Sequence, residues 1–483
     1  MVGVVGLLLF GAISAAAYFV FMSKATSKQI NSIAVLPFQN KGGDADTDYL
    51  SDGLAESLIF RLSQLPGLKV SPTSSVMRYK GTEMDVSKIA RELGVDAVMS
   101  GRLVKRGENL NITVELVDTR NNKTLWGEQY ERKMSDLLAT HREIATAITE
   151  KLQLKLSGDD AKGVTKRYTD NNEAYQAYLK GRYYWKQRGG KNLNTGIGYF
   201  QEAIRMDPGF ALAWSGLADS YVLLPEYTTT SVKEAMPKAK EAAEKAIALD
   251  PQLAEAHASV GYVKYAFEWD FAGAEKEFRQ AIDLDPKYTT AHQWYGELLC
   301  WLHRYDEATA QTRIAVELEP LSALQKYIYA IPFVGMRKYD DADKAYGEAL
   351  ELDRGFGRLQ AQMAQNEIAM GRFSEAQKSC EAAIAIDAQL FKYCPAAVYA
   401  ASADKAKAYA LLAEPSNSGL LGVWDRALVY SLAGDKDKAF EALNTLYEER
   451  AASVVYISAL PGFDNLRGDP RYKELMKKVG LPE

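Results

Sequence analysis

Few residues in this sequence are spaced for catalysis. His141-Arg142-Glu143 comes nearest to a phosphoryl-transfer signature. That chemistry needs an aspartate in the third place to take the hydroxyl proton, with an asparagine downstream for the metal. Glutamate stands there instead, no such Asn follows, and Asp-Phe-Gly is absent. Gly196-Ile197-Gly198 lacks the third glycine of a phosphate-cradling loop, and no GxxxxGK[ST] motif occurs. No GxSxG elbow positions a serine nucleophile. Asp44, Asp46 and Asp48 alternate ahead of a helix without the glycine and distal glutamate of a calcium loop, so they read as a solvated acidic turn. His292 and His303 face no partner cluster and read as packing or surface residues. Catalytic residues, cofactors and metals are therefore all expected to be absent.

Cys300, Cys380 and Cys394 are odd in number and contain no CxxC pair. Buried thiols acting as small hydrophobes are the expected state. A single Cys380–Cys394 bridge is the alternative in an oxidising compartment.

What remains is binding, and the elements that would support it are repeats. Asp-Pro or a relative recurs at Asp207, Asp250, Asp285, Glu319, Asp353 and Asp387, at intervals of 43, 35, 34, 34 and 34. A small residue recurs in step at Ala203, Ala246, Ala281, Ala315, Ala349 and Ala383, and another at Gly196, Ala239, Ala274, Ala308, Ala342 and Ala376. Thirty-four is the tetratricopeptide period, in which paired antiparallel helices cross at small residues. Phe200, Phe278 and Tyr346 take the wider gaps. The interval of 43 implies a nine-residue insertion around Pro225–Lys233, between the two helices of its repeat.

In such arrays the first helices line a concave groove. The register places Asp219, Tyr262, Tyr265, Gln293, Glu297, Trp301, Tyr327, Arg358 and Gln365 there. Aromatics with scattered polar groups suit a protein or an extended peptide. The competing reading is that these rings only fill the spaces between repeats. The basic pairs of a carboxylate-terminus clamp are missing from the set.

The chain has 483 residues, 47% apolar and 25% charged, which excludes a disordered polymer and points to several domains. Fifty-eight Lys+Arg against 63 Asp+Glu leave a formal charge of −5, so no nucleic-acid partner is expected. No small-molecule substrate is evident either. Residues 2–22 carry no charge; at 1.5 Å per residue such a helix spans about 30 Å, the apolar core of a bilayer. An anchor at 1–24 is expected. A cleaved signal peptide is the alternative, but no basic segment precedes the apolar run. Lys24 and Lys28 favour a cytoplasmic side for the remainder of the chain.

Strand and helix patterns then alternate over 32–156. IAVLPF reads as a strand, YLSDGLAESLIFRL as a helix, and three strands follow from VDAVMSGRLV to LWGEQYERK before a helix from about Ser135 to Leu156. A linker at 157–171, a solenoid of about eight helix pairs at 172–469, and a capping helix with tail at 470–483 complete the organisation. The expected fold class is thus an α/β domain followed by an all-α repeat solenoid.

The blocks IAVLPF, YLSDGLAESLI, LPGLKVSPTSSVMRYKG, IARELGVDAVMSGRLV and ELVDTRNNKTLWGEQY resemble the TolB-like amino-terminal domain of bacterial signalling proteins. With the apolar helix and the repeats, the chain resembles the carboxy-terminal half of bacterial membrane serine/threonine kinases, without the kinase domain. Related arrangements carry a cyclase or a winged-helix domain instead. The resemblance implies a membrane-anchored, non-catalytic interaction or sensor scaffold binding a protein or peptide. Its alternative is the regulatory part of a kinase, cyclase or transcription regulator whose catalytic domain is absent from this chain. It also implies an extracytoplasmic place for residues 25–483, against Lys24 and Lys28.

Overall fold

The computed structural model describes residues 30–482 apart from 43–46, 66, 83–84, 153, 155–165, 188, 229 and 415–418. The expected anchor at 2–22, Asp44, Asp46 and much of the 157–171 linker lie outside the described residues. Among those described, no helix is long and apolar enough to cross a membrane.

The amino-terminal unit is a mixed sheet. β1 (Ser32–Val35) lies parallel between β3 (Lys69–Val70) and β4 (Ala97–Arg106), and β2 (Gln39–Asn40) extends the same edge of β4. β4, β5 (Asn109–Asp118) and β6 (Lys123–Lys133) form an antiparallel meander. The β4–β5 hairpin closes through two residues, the first of which, Gly107, has φ 61°. That positive angle costs glycine nothing. Leu110, Ile112, Val114 and Leu116 alternate inward along β5. They share a core with Leu50, Leu54 and Leu58 of helix Asp48–Ser63 and with Ile144 and Ile148 of helix Leu137–Lys151. This last helix is shorter at both ends than its sequence pattern suggested.

Eight successive helix pairs follow among the described residues, from Asn172–Gln187 with Gly190–Met206 to Gly419–Leu432 with Lys436–Glu448. Each crossing is built on small residues. Phe200 is fully buried between Gly181 and Gly216, where an added Cβ would lie 2.7 and 2.5 Å from its ring. Burying such a ring contributes about 1.5–3 kcal/mol. The nine extra residues do not all lie between the two helices, as the spacing implied. They lengthen both helices of their repeat, Ala211–Tyr227 to 17 residues and Val232–Leu249 to 18, against 13 and 14 in Thr289–Trp301 and Tyr305–Leu318. Pro225 sits in the final turn of its helix and forgoes its own backbone N–H bond there.

Two features tie the solenoid to the rest of the chain. First, the α/β unit and the segment after it meet four consecutive repeat corners. Thr169 Oγ1 donates to Asp207 at 2.5 Å, Lys166 Nζ to Asp250 at 2.6 Å, Gln64 Nε2 to Asp285 at 2.9 Å and Ser74 Oγ to Glu319 at 2.7 Å. In Asp207, Asp250 and Asp285 the other carboxylate oxygen caps a backbone N–H of its own turn. Second, the 3-10 turns Ala452–Ser458 and Pro461–Leu466 fold back onto the middle repeats. Ser458 Oγ donates to Trp301 O at 2.8 Å, and Arg337 Nη1 to Ala459 O at 2.6 Å. Helix Pro470–Val479, capped by Asp469 and ended by Gly480 at φ 83°, finishes the chain.

Cys380 and Cys394 form a disulfide, and Cys300 is a buried free thiol. The expectation of three thiols is therefore corrected. The fold sets Cys380 on helix Phe373–Ile386 beside Cys394 at the start of helix Cys394–Ala401, with the two Cα atoms 5.4 Å apart, inside bridging range.

Candidate functional site

A cavity of about 2120 Å³ runs along the first helices of the repeats. One side is covered by helix Asp48–Ser63 and the 67–80 segment of the α/β unit, another by the 451–460 segment. Of the nine groove candidates, Asp219, Tyr262, Gln293, Glu297, Trp301, Tyr327, Arg358 and Gln365 line this cavity. Tyr265 does not. It is 1% exposed and turns between helices, its ring 5.0 Å from Tyr262 and 6.1 Å from Phe278. The reason is local: helix Ala254–Val263 widens into a π turn over Lys264–Glu268, which rotates Tyr265 off the groove face.

The lining side chains are interconnected. Asp219 accepts a short hydrogen bond from Ser259 Oγ and lies 3.9 Å from Arg182. Tyr262 Oη donates to Glu226 at 3.2 Å, and Arg358 Nη1 reaches the other oxygen of Glu226 at 3.1 Å. Gln325 Nε2 donates to Gln293 Oε1 at 3.1 Å, and Gln293 Nε2 to Glu297 at 2.9 Å. Burial pushes the Glu297 carboxyl up to about 7; the Gln293 hydrogen bond opposes this and the neighbouring Glu226 charge adds to it. Burial likewise raises Glu255 and Asp425, which also line the cavity, to about 7.

Where the α/β unit meets the first repeat, Glu56 accepts from Arg182 at 2.6 Å and pairs with Lys186. Beside it His141 is completely buried. Its Nε2–H donates to Leu54 O at 3.1 Å, so Nδ1 is the acceptor for Tyr175 Oη at 2.8 Å. Burial, with the nearby Arg61 charge, pushes the imidazole down to about 3. His141 thus sits at a joint between the α/β unit and the first repeat, while Glu143 pairs with Arg132 inside the α/β unit. Of the two other singled-out histidines, His292 bonds Gln311 and Pro286 O, and His303 donates to Ser458 O at 2.9 Å. Among the described residues no group of three or more His, Cys, Asp or Glu is placed to hold a metal.

Sequence reasoning missed Glu226, Tyr456 and the whole covering of the cavity. Glu226 sits in the extra turn of a lengthened helix, outside the 34-residue register. Tyr456 comes from a segment with no periodic pattern.

The family described as HilA/YgeH-like transcriptional regulator, second domain, matches residues 28–148. Transcriptional regulator HilA of Salmonella typhimurium is 24% identical over 300 residues, 61% of this chain and 52% of its own length. A Rhizobium meliloti protein named "Putative adenylate cyclase 3" is 28% identical over 286 residues, 57% of this chain and 41% of its own. The chain spans about half the length of the curated relatives it matches. Among solved structures, a thermophilic tetratricopeptide protein of Thermus thermophilus is 18% identical, covering 40% of this chain and 98% of that one, with a TM-score of 0.35. A monomeric mutant of IFIT1 with Gppp-AAAA is 15% identical, covering 65% and 76%, with a TM-score of 0.46. The chain is a mostly helical, tetratricopeptide-like solenoid with a small amino-terminal sheet.

Proposed function

We propose that this chain is a non-catalytic interaction and sensor scaffold that holds a protein or peptide in its solenoid cavity. The observation that carries the reading is the convergence of eight register-derived groove residues on one cavity, mixing aromatic rings with paired polar groups. The covering α/β unit, TolB-like by its sequence blocks, is placed to sense occupancy, because helix Asp48–Ser63 lines the cavity and packs on the first repeat. In this reading nucleic acid is not a partner. A peptide library displayed against the purified chain tests it. Binders that wild type retains and a Tyr262→Ala, Tyr327→Ala double variant loses are expected. Binders indifferent to both changes sink the groove reading, and ATP turnover that co-purifies with the protein sinks the non-catalytic one.

The same proposal places the chain on a membrane through residues 2–22, with residues 25–483 extracytoplasmic. Support comes from the uncharged 21-residue run and from the Cys380–Cys394 bridge, since disulfides persist in oxidising compartments. Reporters fused after Glu483 decide the side: a periplasm-only enzyme should be active and a cytoplasm-only fluorophore dark.

A second reading makes this region the regulatory part of a longer signalling protein: a membrane serine/threonine kinase, a cyclase or a transcriptional regulator. It is favoured by relatives named for two different outputs that share with this chain only about half their length. Sequencing the genomic region upstream of the Met1 codon tests it: a catalytic reading frame running in without a stop is the expected outcome.

A further inference from the structure

Resting on the groove reading, the chemistry of one part of the cavity names a ligand class. Glu226 comes from the second repeat, Glu297 from the fourth and Arg358 from the sixth, yet they face one another across the cavity. Arg358 pairs with Glu226 at 3.1 Å, and it is the cation that acts on Glu297. Two carboxylates therefore share one guanidinium on the cavity wall.

Rings surround the same point. Tyr262 packs on Trp294 at 4.8 Å between centroids, and Trp301 on Tyr456 at 4.6 Å. All four line the cavity, and ring faces attract cations. An independent sign comes from Gln325. It is 4% exposed and ends the amide relay that reaches Glu297 through Gln293, and its Oε1 has no hydrogen-bond donor among the described residues. A buried acceptor left unpaired is costly, and an N–H-rich cation would supply it a donor. An anionic ligand would meet two carboxylates and is selected against.

We infer that Glu226 and Glu297, walled by Tyr262, Trp301 and Tyr456, receive a guanidinium or ammonium group of the ligand, at a place where Arg358 serves as a partial internal stand-in. The source of that cation is either a basic side chain of a bound peptide or a free small amine.

The test uses the full chain purified in mild detergent, with tryptophan fluorescence and calorimetry as readouts. Probes are arginine amide and the amide of Gly-Arg-Gly, both N-acetylated so that the guanidinium is their one cation, each against its neutral citrulline counterpart. The cationic probes should bind and the citrulline forms should bind at least tenfold more weakly. Glu297→Gln should weaken binding about tenfold, whereas Arg358→Gln, which frees Glu226, should tighten it severalfold. Unchanged melting curves establish that both variants fold. A preference for Gly-Arg-Gly over arginine amide assigns the cation to a peptide; the reverse assigns it to a free amine. Library peptides that occupy the cavity with no preference for arginine or lysine over neutral residues overturn this inference and leave the groove reading standing. Arginine amide binding without any peptide binding upholds the inference and removes the peptide reading. No cation binding by any probe overturns it.

Discussion

Arg182 of the first repeat helix donates to Glu56 of the α/β unit through Nε at 3.0 Å and Nη2 at 2.6 Å, across 126 residues of sequence. Both side chains are at most one-fifth exposed, and Lys186 approaches the same carboxylate. Burial alone would raise the Glu56 carboxyl, but the two cations outweigh it and hold it at about 2.

Removing Glu56 therefore takes the paired carboxylate from Lys186 and leaves Arg182 with Asp219, 3.9 Å away. Glu56→Gln is expected to destabilise the α/β unit on the solenoid by about 3 kcal/mol. Differential scanning calorimetry should show an earlier first transition. The unfolded carboxyl titrates near ~4.3 and the folded one near about 2, so this contribution is full above the former and lost as pH falls between them. A variant as stable as wild type at pH 7 contradicts the argument.

His141 adds a second acid-sensitive element. The unfolded imidazole takes a proton below ~6.5, while the folded one resists until about 3. Stability from this group is complete above the higher value and falls as pH drops towards the lower, by up to about 1.4 kcal/mol per pH unit. His141→Gln should lower stability at pH 7 and flatten its pH dependence between 6 and 4. Urea melts at several pH values read the slope, and an unchanged slope refutes the assignment.

Phe200 tests how closely the first two repeats pack. Gly216→Ala places a methyl group 2.5 Å from the ring and should cost about 1–3 kcal/mol. Phe200→Leu alone leaves a gap. Because the leucine makes room for the methyl, the double variant should be more stable than the sum of the two single losses. Additive losses in thermal melts would show that the two sites are not coupled.

Much of this was readable beforehand. Ala203, Ala246 and Ala281 recur because helices can approach only at small residues, and that steric rule is written locally into sequence. Gly94 ends helix Val86–Leu93 for an equally local reason, taking φ 63°, whereas the Asp85 carboxylate that caps Ser87 N at its start is seen only in the structure. The covering of the groove was not readable. Gln64 meets Asp285, and Ser458 meets Trp301, through contacts between segments far apart in sequence, and neither carries a periodic signature. The Cys380–Cys394 bridge was legible only as the alternative to three buried thiols, because sequence alone does not show that helix Phe373–Ile386 and the start of helix Cys394–Ala401 bring the two Cα atoms to 5.4 Å.

A positional signal in the helix turns was also present but unrecognised. Trp269, His303 and Arg337, each 34 residues apart, take φ 59°, 59° and 62°, at the turn position where Gly371 takes 71° in the next repeat. Left-handed backbone costs a non-glycine residue about 1–2 kcal/mol. Each of these three side chains touches the carboxy-terminal segment: Arg450 lies 4.1 Å over Trp269, His303 bonds Ser458 O, and Arg337 holds Ala459 O and Asp464. Arg337→Gly should relax the turn yet release the segment, so proteolysis near Asp464 should quicken while the solenoid stays folded. Unchanged cleavage rates would show that Arg337 is not the tether.

The disulfide makes a chemical prediction. Under denaturing conditions without reductant, only one of three cysteines should take up an alkylating agent, and all three after reduction. Cys380→Ser should cost about 3 kcal/mol, as expected for a loop of this size. Three labelled thiols before reduction would remove the bridge.

Repeat arrays ordinarily unravel from their free ends, because each unit leans only on its neighbours. Here the end of the chain is fastened to the third, fourth and fifth repeats, so the array is joined into a circuit. A truncation after Arg450 would not merely shorten it; it would uncover the flanks of the middle repeats and turn an all-or-none melt into stepwise fraying. For a peptide held as proposed, such a circuit would couple release to the lifting of the carboxy-terminal segment or of the α/β unit.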